Sequence, residues 1–197
     1  MLNGVSWWVP QTLRANPNLI KNFSKKVFTK TECNRIRGLK ETLRFQNAEF
    51  GGGQEASKGN LRSSQIAWLK DVQEKEVGWI YSKVGKELVE MNKLWDFHIM
   101  GFSEPFQYTI YNAEELGRYD SHIDIGEKTW FRKISVTIQL SHPDEYEGGE
   151  LMIGKWTAEK QQGMMVAFPS YREHGVNPVL KGTRESLVIW VSGPAWQ

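Results

Sequence analysis

The sequence predicts a mainly β protein, a β-sandwich or jelly roll braced by N-terminal helices. Three observations carry that expectation. Apolar residues recur at helical spacing in the first half of the chain, and from about residue 97 the period falls to two. The second half is then cut by turn residues into six to eight short runs, as in packed or closed antiparallel sheets.

Thr29 with Glu32 is a capping-box pattern, and Cys33, Ile36, Leu39 and Leu43 follow at helical spacing, so a helix is expected over 30–44. Residues 49–60 are polar and Gly-rich, the composition of a mobile loop that either closes over a site as a lid or is an idle surface loop. Asp71 and Glu74 form a second capping signal. Behind it Val77, Ile80, Tyr81, Val84, Leu88 and Met91 predict an amphipathic helix over 72–91. Ile134, Val136, Ile138 and Leu140 alternate with Ser135, Thr137 and Gln139, the pattern of a half-buried strand. Gly148-Gly149 turns into a strand at Glu150–Ile153. Met164–Phe168 is an apolar run stopped by Pro169. A last strand, 184–191, has Arg184, Ser186, Val188 and Trp190 on one face and Leu187, Ile189 and Val191 on the other, so both faces are expected to be covered.

At 197 residues the chain suits one domain over 1–197, with about 1–96 as helical support and loop and about 97–197 as β core. A single cysteine, Cys33, excludes an internal disulfide and fits a reducing compartment. No signal-peptide pattern and no apolar stretch long enough for a membrane span is present, so a cytoplasmic protein with no membrane partner is expected. The formal net charge of +2 is uneven: residues 1–44 hold nine Lys/Arg against Glu32 and Glu41, a local +7 that leaves −5 elsewhere. Such a flank attracts nucleic acid or an acidic protein, or is simply a solvated helix face.

The chemistry gathers around two of the four histidines. His122-Ile123-Asp124 places an imidazole and a carboxylate two residues apart, on one face if the segment is extended. Two imidazoles and one carboxylate on one side of an ion, with open positions opposite, suit non-haem Fe(II) oxygenases. His174, after Pro169 and near the start of a later strand, is the candidate second imidazole. By itself His-x-Asp reads more often as a surface pair than as a ligand pair. Arg184 adds to it: an inward arginine on an otherwise apolar strand is costly unless a carboxylate meets it, whether a ligand's or that of Glu150. His142, in Ser-His-Pro-Asp-Glu, reads as a solvated loop residue, and His98 as a strand histidine away from the metal.

Tyr111 and Tyr119 ahead of His122-Ile123-Asp124, then Arg132-Lys133-Ile134-Ser135, Glu147-Gly148-Gly149-Glu150-Leu151, His174-Gly175-Val176 with Pro178, Gly182 and Arg184, and finally Trp190 form an ordered set. Over about residues 100–195 this set resembles the prolyl-4-hydroxylase-like 2-oxoglutarate/Fe(II) oxygenases, and within them the bacterial and phage PKHD-type hydroxylases. The resemblance implies a double-stranded β-helix, a cupin-like jelly roll with the metal at one mouth. It implies Fe(II) held by His122, Asp124 and His174, with no catalytic side chain beyond them. Arg184 would bind the distal carboxylate of 2-oxoglutarate, and Tyr111 would hydrogen-bond the same cosubstrate. O2 would be consumed, with ascorbate as reductant, and a substrate C–H bond hydroxylated with release of succinate and CO2. The implied substrate is a prolyl residue of a peptide or protein, for which Tyr119, Trp130 and Trp190 are candidate walls. The chain departs from some prolyl hydroxylases at Gln139, where a second cosubstrate tyrosine would stand.

Three other readings compete. A nucleic-acid demethylase of the same fold would carry a second arginine six residues after the first, and that position is Trp190. A hydroxylase of free amino acids would need charged groups for the ammonium and carboxylate, for which Arg118 and Arg172 are the candidates. A non-catalytic metal- or sugar-binding jelly roll would not need Arg184 beside a complete ligand set.

Overall fold

The computed structural model describes residues 18–48 and 62–196; the Gly-rich segment 49–60 lies outside the described residues. The first helix starts as its capping box dictates. Thr29 Oγ1 accepts from the Glu32 amide at 3.2 Å, and the Glu32 carboxylate accepts from the Thr29 amide at 2.8 Å. That helix, α1 (Lys30–Gly38), is shorter than expected: it tightens into a 3-10 turn at Leu39–Glu41, so Leu43 packs from beyond the helix. The second helix, α2 (Glu74–Asn92), buries Val77, Ile80, Val84, Leu88 and Met91. The N-cap expected at Asp71 falls two residues later. Asp71 closes a 3-10 turn at Leu69–Asp71, and the N-cap position falls on Gln73 with no side-chain cap bond.

Thirteen strands are found among the described residues: β1 (Phe23–Lys26), β2 (Gln46–Asn47), β3 (Arg62–Ser63), β4 (Gln65–Trp68), β5 (Gln107–Asn112), β6 (Arg118–His122), β7 (Arg132–Gln139), β8 (Tyr146–Gly148), β9 (Leu151–Ile153), β10 (Trp156–Thr157), β11 (Met164–Pro169), β12 (His174–Val176) and β13 (Val179–Ser192). They pair antiparallel in two sheets. The larger runs β1-β11-β7-β13-β5-β4-β2, with β8 on the start of β13; the smaller runs β10-β9-β12-β6-β3. The protein is thus mainly β with few helices, as expected, but the N-terminal half supplies more than helical support. β1 extends the large sheet beside β11, β4 lies beside β5, and β3 edges the small sheet beside β6. These strands are two to four residues long and partly exposed, so they have too little alternation to stand out in the sequence. His98, expected on a strand, lies exposed in an irregular segment.

Side-chain parity divides the interior into two cores. Ile134, Val136, Ile138, Leu187, Ile189 and Val191 leave the outer face of the large sheet and pack against α1 and α2. Met164, Val166, Phe168, Leu151, Ile153, Val176 and Tyr146 pack between the two sheets. The polar face of β7 is therefore not the solvent face expected of a half-buried strand. Ser135 and Gln139 are buried, because that face looks into the space between the sheets. The basic N-terminal segment is partly consumed inside the fold: Arg37 and Lys40 both pair with Glu185 of β13, and Lys25 pairs with Glu87 of α2. Among the described residues, no helix is long and apolar enough to cross a membrane.

Candidate metal centre

His122 ends β6 and His174 begins β12, and the two are register partners across the antiparallel ladder. Cross-strand partners carry their side chains side by side, and the imidazole centroids lie 4.3 Å apart. Asp124 follows two residues after His122, its backbone held by an amide bond to the Ser170 carbonyl at 3.0 Å. Its carboxylate sits 3.7 Å from His122 Nε2 and 3.3 Å from His174 Nε2. One ligand atom from each residue lies within 4.8 Å of the others, a spacing that can hold one ion.

The imidazoles are oriented for that role. His122 Nδ1 contacts the Asp120 carbonyl at 2.8 Å, and His174 Nδ1 contacts the Arg172 carbonyl at 2.9 Å. A carbonyl only accepts, so Nδ1 carries the proton in each ring and the Nε2 lone pair faces the centre. Tyr119 stacks on His122 at 3.6 Å, and Phe168 lies 4.6 Å from His174. Ser135 Oγ, on the inward face of β7, donates to Asp124 Oδ2 at 2.5 Å. Burial, helped by His174, lowers the pKa of His122 to about 4, which keeps that ring neutral. Burial opposes ionisation of Asp124, but the two imidazoles and Ser135 outweigh it and hold the carboxyl well below its usual range. For His174, burial opposes protonation, yet the Asp124 carboxylate prevails and the pKa rises. Two imidazole nitrogens and a carboxylate, buried and convergent, fit a divalent ion, which would bind His174 in its neutral form.

The triad sits on a cavity of about 300 Å3, also lined by Trp68, Gln107, Tyr111, Tyr119, Arg132, Thr137, Val188 and Trp190. The inward row of β13 continues past Val188 to Ser186 and Arg184. Arg184 is 3% exposed and stands opposite Tyr111 in the register, its guanidinium 5.3 Å from that ring. It does not itself line the cavity. Among the described residues it pairs with no carboxylate: Glu150, the internal acid named as its alternative partner, binds Lys160 at 2.8 Å and Asn177 at 3.2 Å. Ser186 Oγ, two residues along, is buried without a hydrogen-bond partner. A buried guanidinium lacking an anion beside an orphaned hydroxyl suits a carboxylate-bearing ligand.

Sequence reasoning placed Arg132 and Ser135 in the ordered motifs without giving either a role, and missed Tyr146. Arg132 is clamped by Glu104 at 2.5 and 2.7 Å and lies 3.8 Å over the Trp190 ring, on the cavity wall. Tyr146 touches Gln139 and Arg184. The signal for Ser135 was its parity with Gln139 on β7. For Arg132 and Tyr146 the partners are distant in sequence, and no local pattern marks them. Trp130, a candidate wall, is 50% exposed and outside the cavity lining, whereas Tyr119 and Trp190 line it. His142 caps the 3-10 turn at Pro143–Glu145, away from the triad.

Residues 106–192 match the family model described as the 2OG-Fe(II) oxygenase superfamily. Together with the relatives and neighbours below, that match supports a prolyl-4-hydroxylase-like 2-oxoglutarate/Fe(II) oxygenase, an enzyme of the 2-oxoglutarate-dependent dioxygenase type. That family implies Fe(II) and 2-oxoglutarate. Among curated relatives, a PKHD-type hydroxylase of Gloeothece citriformis is 27% identical over 84% of this chain and 74% of its own length. A PKHD-type hydroxylase of Rippkaea orientalis is 36% identical over 42% of this chain and 41% of its own. The fold is similar to that of a Pseudomonas putida prolyl-4-hydroxylase (TM-score 0.64, 19% identity, 89% of this chain and 94% of that one). It is also similar to a Trichoplax adhaerens prolyl hydroxylase in complex with a hypoxia inducible factor oxygen degradation domain peptide fragment (TM-score 0.69, 18% identity, 90% of this chain and 84% of that one).

Proposed function

We propose that the protein hydroxylates a prolyl residue of a peptide or protein, with Fe(II) on His122, Asp124 and His174 and 2-oxoglutarate anchored by Arg184 beside Tyr111. The observation that carries the reading is the convergence of two imidazole Nε2 atoms and one carboxylate on the wall of a cavity. When bound, iron and 2-oxoglutarate supply O2-dependent decarboxylation to succinate and CO2, coupled to hydroxylation of a substrate C–H bond. Ascorbate as reductant is part of the same proposal.

The chain's own residues position and protect. The Asp120 and Arg172 carbonyls hold both imidazoles in the ligating tautomer, and Ser135 aims the Asp124 carboxylate. Arg184 offers a forked cation to the distal carboxylate, and Val188 with the inward aromatics thins the water around the reacting centre. Because Arg184 lies behind the cavity lining, its side chain or that of Tyr111 shifts when the carboxylate reaches it.

A prolyl substrate fits the aromatic walls at Tyr119 and Trp190, which suit an apolar ring. The Trichoplax neighbour holds a peptide fragment, which supports a peptide here. Of the arginines that could meet a free amino acid, Arg132 is committed to Glu104 and neither Arg118 nor Arg172 lines the cavity. Arg62, Glu127 and Lys128 do line it, so the substrate panel decides between peptide and free amino acid. The test offers the protein, Fe(II), 2-oxoglutarate and ascorbate a panel of proline-containing peptides beside free proline and other amino acids, read by mass spectrometry. Gain of one oxygen on a peptide proline supports the proposal; turnover with free amino acids alone refutes it.

A further inference from the structure

We infer that Tyr146 gives a second hydrogen bond to the distal carboxylate of 2-oxoglutarate, and that Gln139 sets its hydroxyl for that task. The inference rests on the reading that Arg184 anchors this cosubstrate. Tyr146 opens β8 and is buried between the sheets. Its hydroxyl oxygen accepts from Gln139 Nε2 at 3.1 Å, and the Arg184 guanidinium lies close enough to act on it electrostatically. The Gln139 amide cannot be turned the other way, because the same Nε2 also donates to the Ser141 carbonyl at 3.3 Å, which only accepts.

A hydroxyl oxygen that accepts a hydrogen bond keeps its own proton to give. Among the described residues no acceptor takes it. Burial, partly offset by Arg184, raises the phenol's pKa, so the proton stays in place at neutral pH. A guanidinium without an anion and a phenol without an acceptor, in contact with each other, form the donor pair that one carboxylate satisfies.

The flanking turn builds the pair in. Gly148 and Gly149 adopt φ values of 74° and 63°, and a Cβ on Gly149 would stand 3.1 Å from Arg184 Cδ and 3.3 Å from Tyr146 Cε2. The backbone passes so close that it fixes the two side chains against each other. Lys160 lies 5.0 Å from the Tyr146 ring centre and is tied to Glu150 and to the Gly148 carbonyl, which pins the ring from its other side.

The test compares two ligands on the Mn(II)-loaded full chain by titration calorimetry: 2-oxoglutarate, and 2-oxopentanoate, which keeps the 2-oxo acid and lacks the distal carboxylate. Tyr146→Phe is expected to weaken 2-oxoglutarate about ten- to hundred-fold, the range of one hydrogen bond to a charged group, and to leave 2-oxopentanoate unchanged. Gln139→Leu should weaken 2-oxoglutarate several-fold and add nothing in the Tyr146→Phe background, because it acts through the tyrosine. If Arg184→Ala fails to distinguish the two acids, the anchoring reading itself falls. If Arg184→Ala distinguishes them while Tyr146→Phe weakens neither, or both equally, Arg184 stands and Tyr146 is overturned. Should Tyr146→Phe fold poorly by thermal unfolding, Gln139→Leu decides: selective loss of 2-oxoglutarate supports the inference, and unchanged affinity overturns it.

Discussion

Arg184 and Glu185 are consecutive on β13, and their side chains leave opposite faces of the sheet. Arg184 enters the space between the sheets beside Tyr111, while Glu185 faces the helices and is gripped by Arg37 at 2.9 Å, Lys40 at 2.6 Å and the Tyr108 hydroxyl at 2.6 Å. One strand thus carries a candidate ligand anchor on one side and the tie to the α1 region on the other. The outer tie fixes the strand from which the inner arginine projects.

Glu185 makes a prediction about stability and pH. Burial opposes its ionisation, but Lys40, Tyr108 and Arg37 outweigh it and lower its pKa from the ordinary 4.5. A carboxyl depressed in the folded state contributes stability above its unfolded pKa and loses it as pH falls through the folded value. The native protein should therefore lose stability progressively below about pH 4.5. Glu185→Gln should be less stable at pH 7, by the lower end of the roughly 3–5 kcal/mol seen when a buried pair loses one member, since Arg37 and Lys40 are 23% and 38% exposed. Its acid-side slope should be shallower. Denaturant unfolding at several pH values checks both; equal slopes would remove Glu185 from the account.

At the metal centre, Asp124→Ala should abolish tight Fe(II) or Mn(II) binding while far-UV circular dichroism is preserved. Ser135→Ala leaves all three ligands but removes the 2.5 Å bond to Asp124, and should lower metal affinity about 10–100-fold, as loss of a ligand's own hydrogen-bond partner does. Metal titration of both variants is the measurement. Full metal affinity in Asp124→Ala would sink the assignment.

Arg184 is the next test. Arg184→Ala should weaken 2-oxoglutarate by about a hundred-fold or more, given two hydrogen bonds to a charged group at roughly 1.5–3 kcal/mol each. Arg184→Lys should lose less, keeping the charge without the fork. An unchanged dissociation constant in Arg184→Ala would mean that another residue holds the carboxylate.

Gly149 links backbone conformation to the same pocket. A Cβ there would meet Val179 Cγ2 at 2.9 Å and Arg184 Cδ at 3.1 Å, at a φ of 63°. Gly149→Ala should cost about 1–2 kcal/mol from the left-handed backbone alone and weaken 2-oxoglutarate as well. Gly38→Ala, where nothing lies within 4 Å of the added atom, is the control and should disturb neither. Normal cosubstrate affinity in Gly149→Ala would show that the turn does not hold the arginine.

The sequence by itself determined the class of fold, the capping box of α1 and the apolar face of α2, and it marked His122 with Asp124, and Arg184, as candidates. Each is written locally, in a short spacing or a period, because it depends on which side of one element a residue leaves. The ordered motifs supplied what spacing alone left open, namely which distant histidine joins His122-x-Asp124. Tertiary structure decided the rest. Whether the polar face of β7 met water or the interior depended on a second sheet closing over it, so Ser135 became the partner of Asp124 and Gln139 the partner of Tyr146. The N-terminal strands took their places only once β5, β6 and β11 offered open edges. The register of β6 against β12 placed the two imidazoles side by side across 52 positions of chain, and no local pattern encodes that pairing, because it is settled by the packing of the whole sandwich.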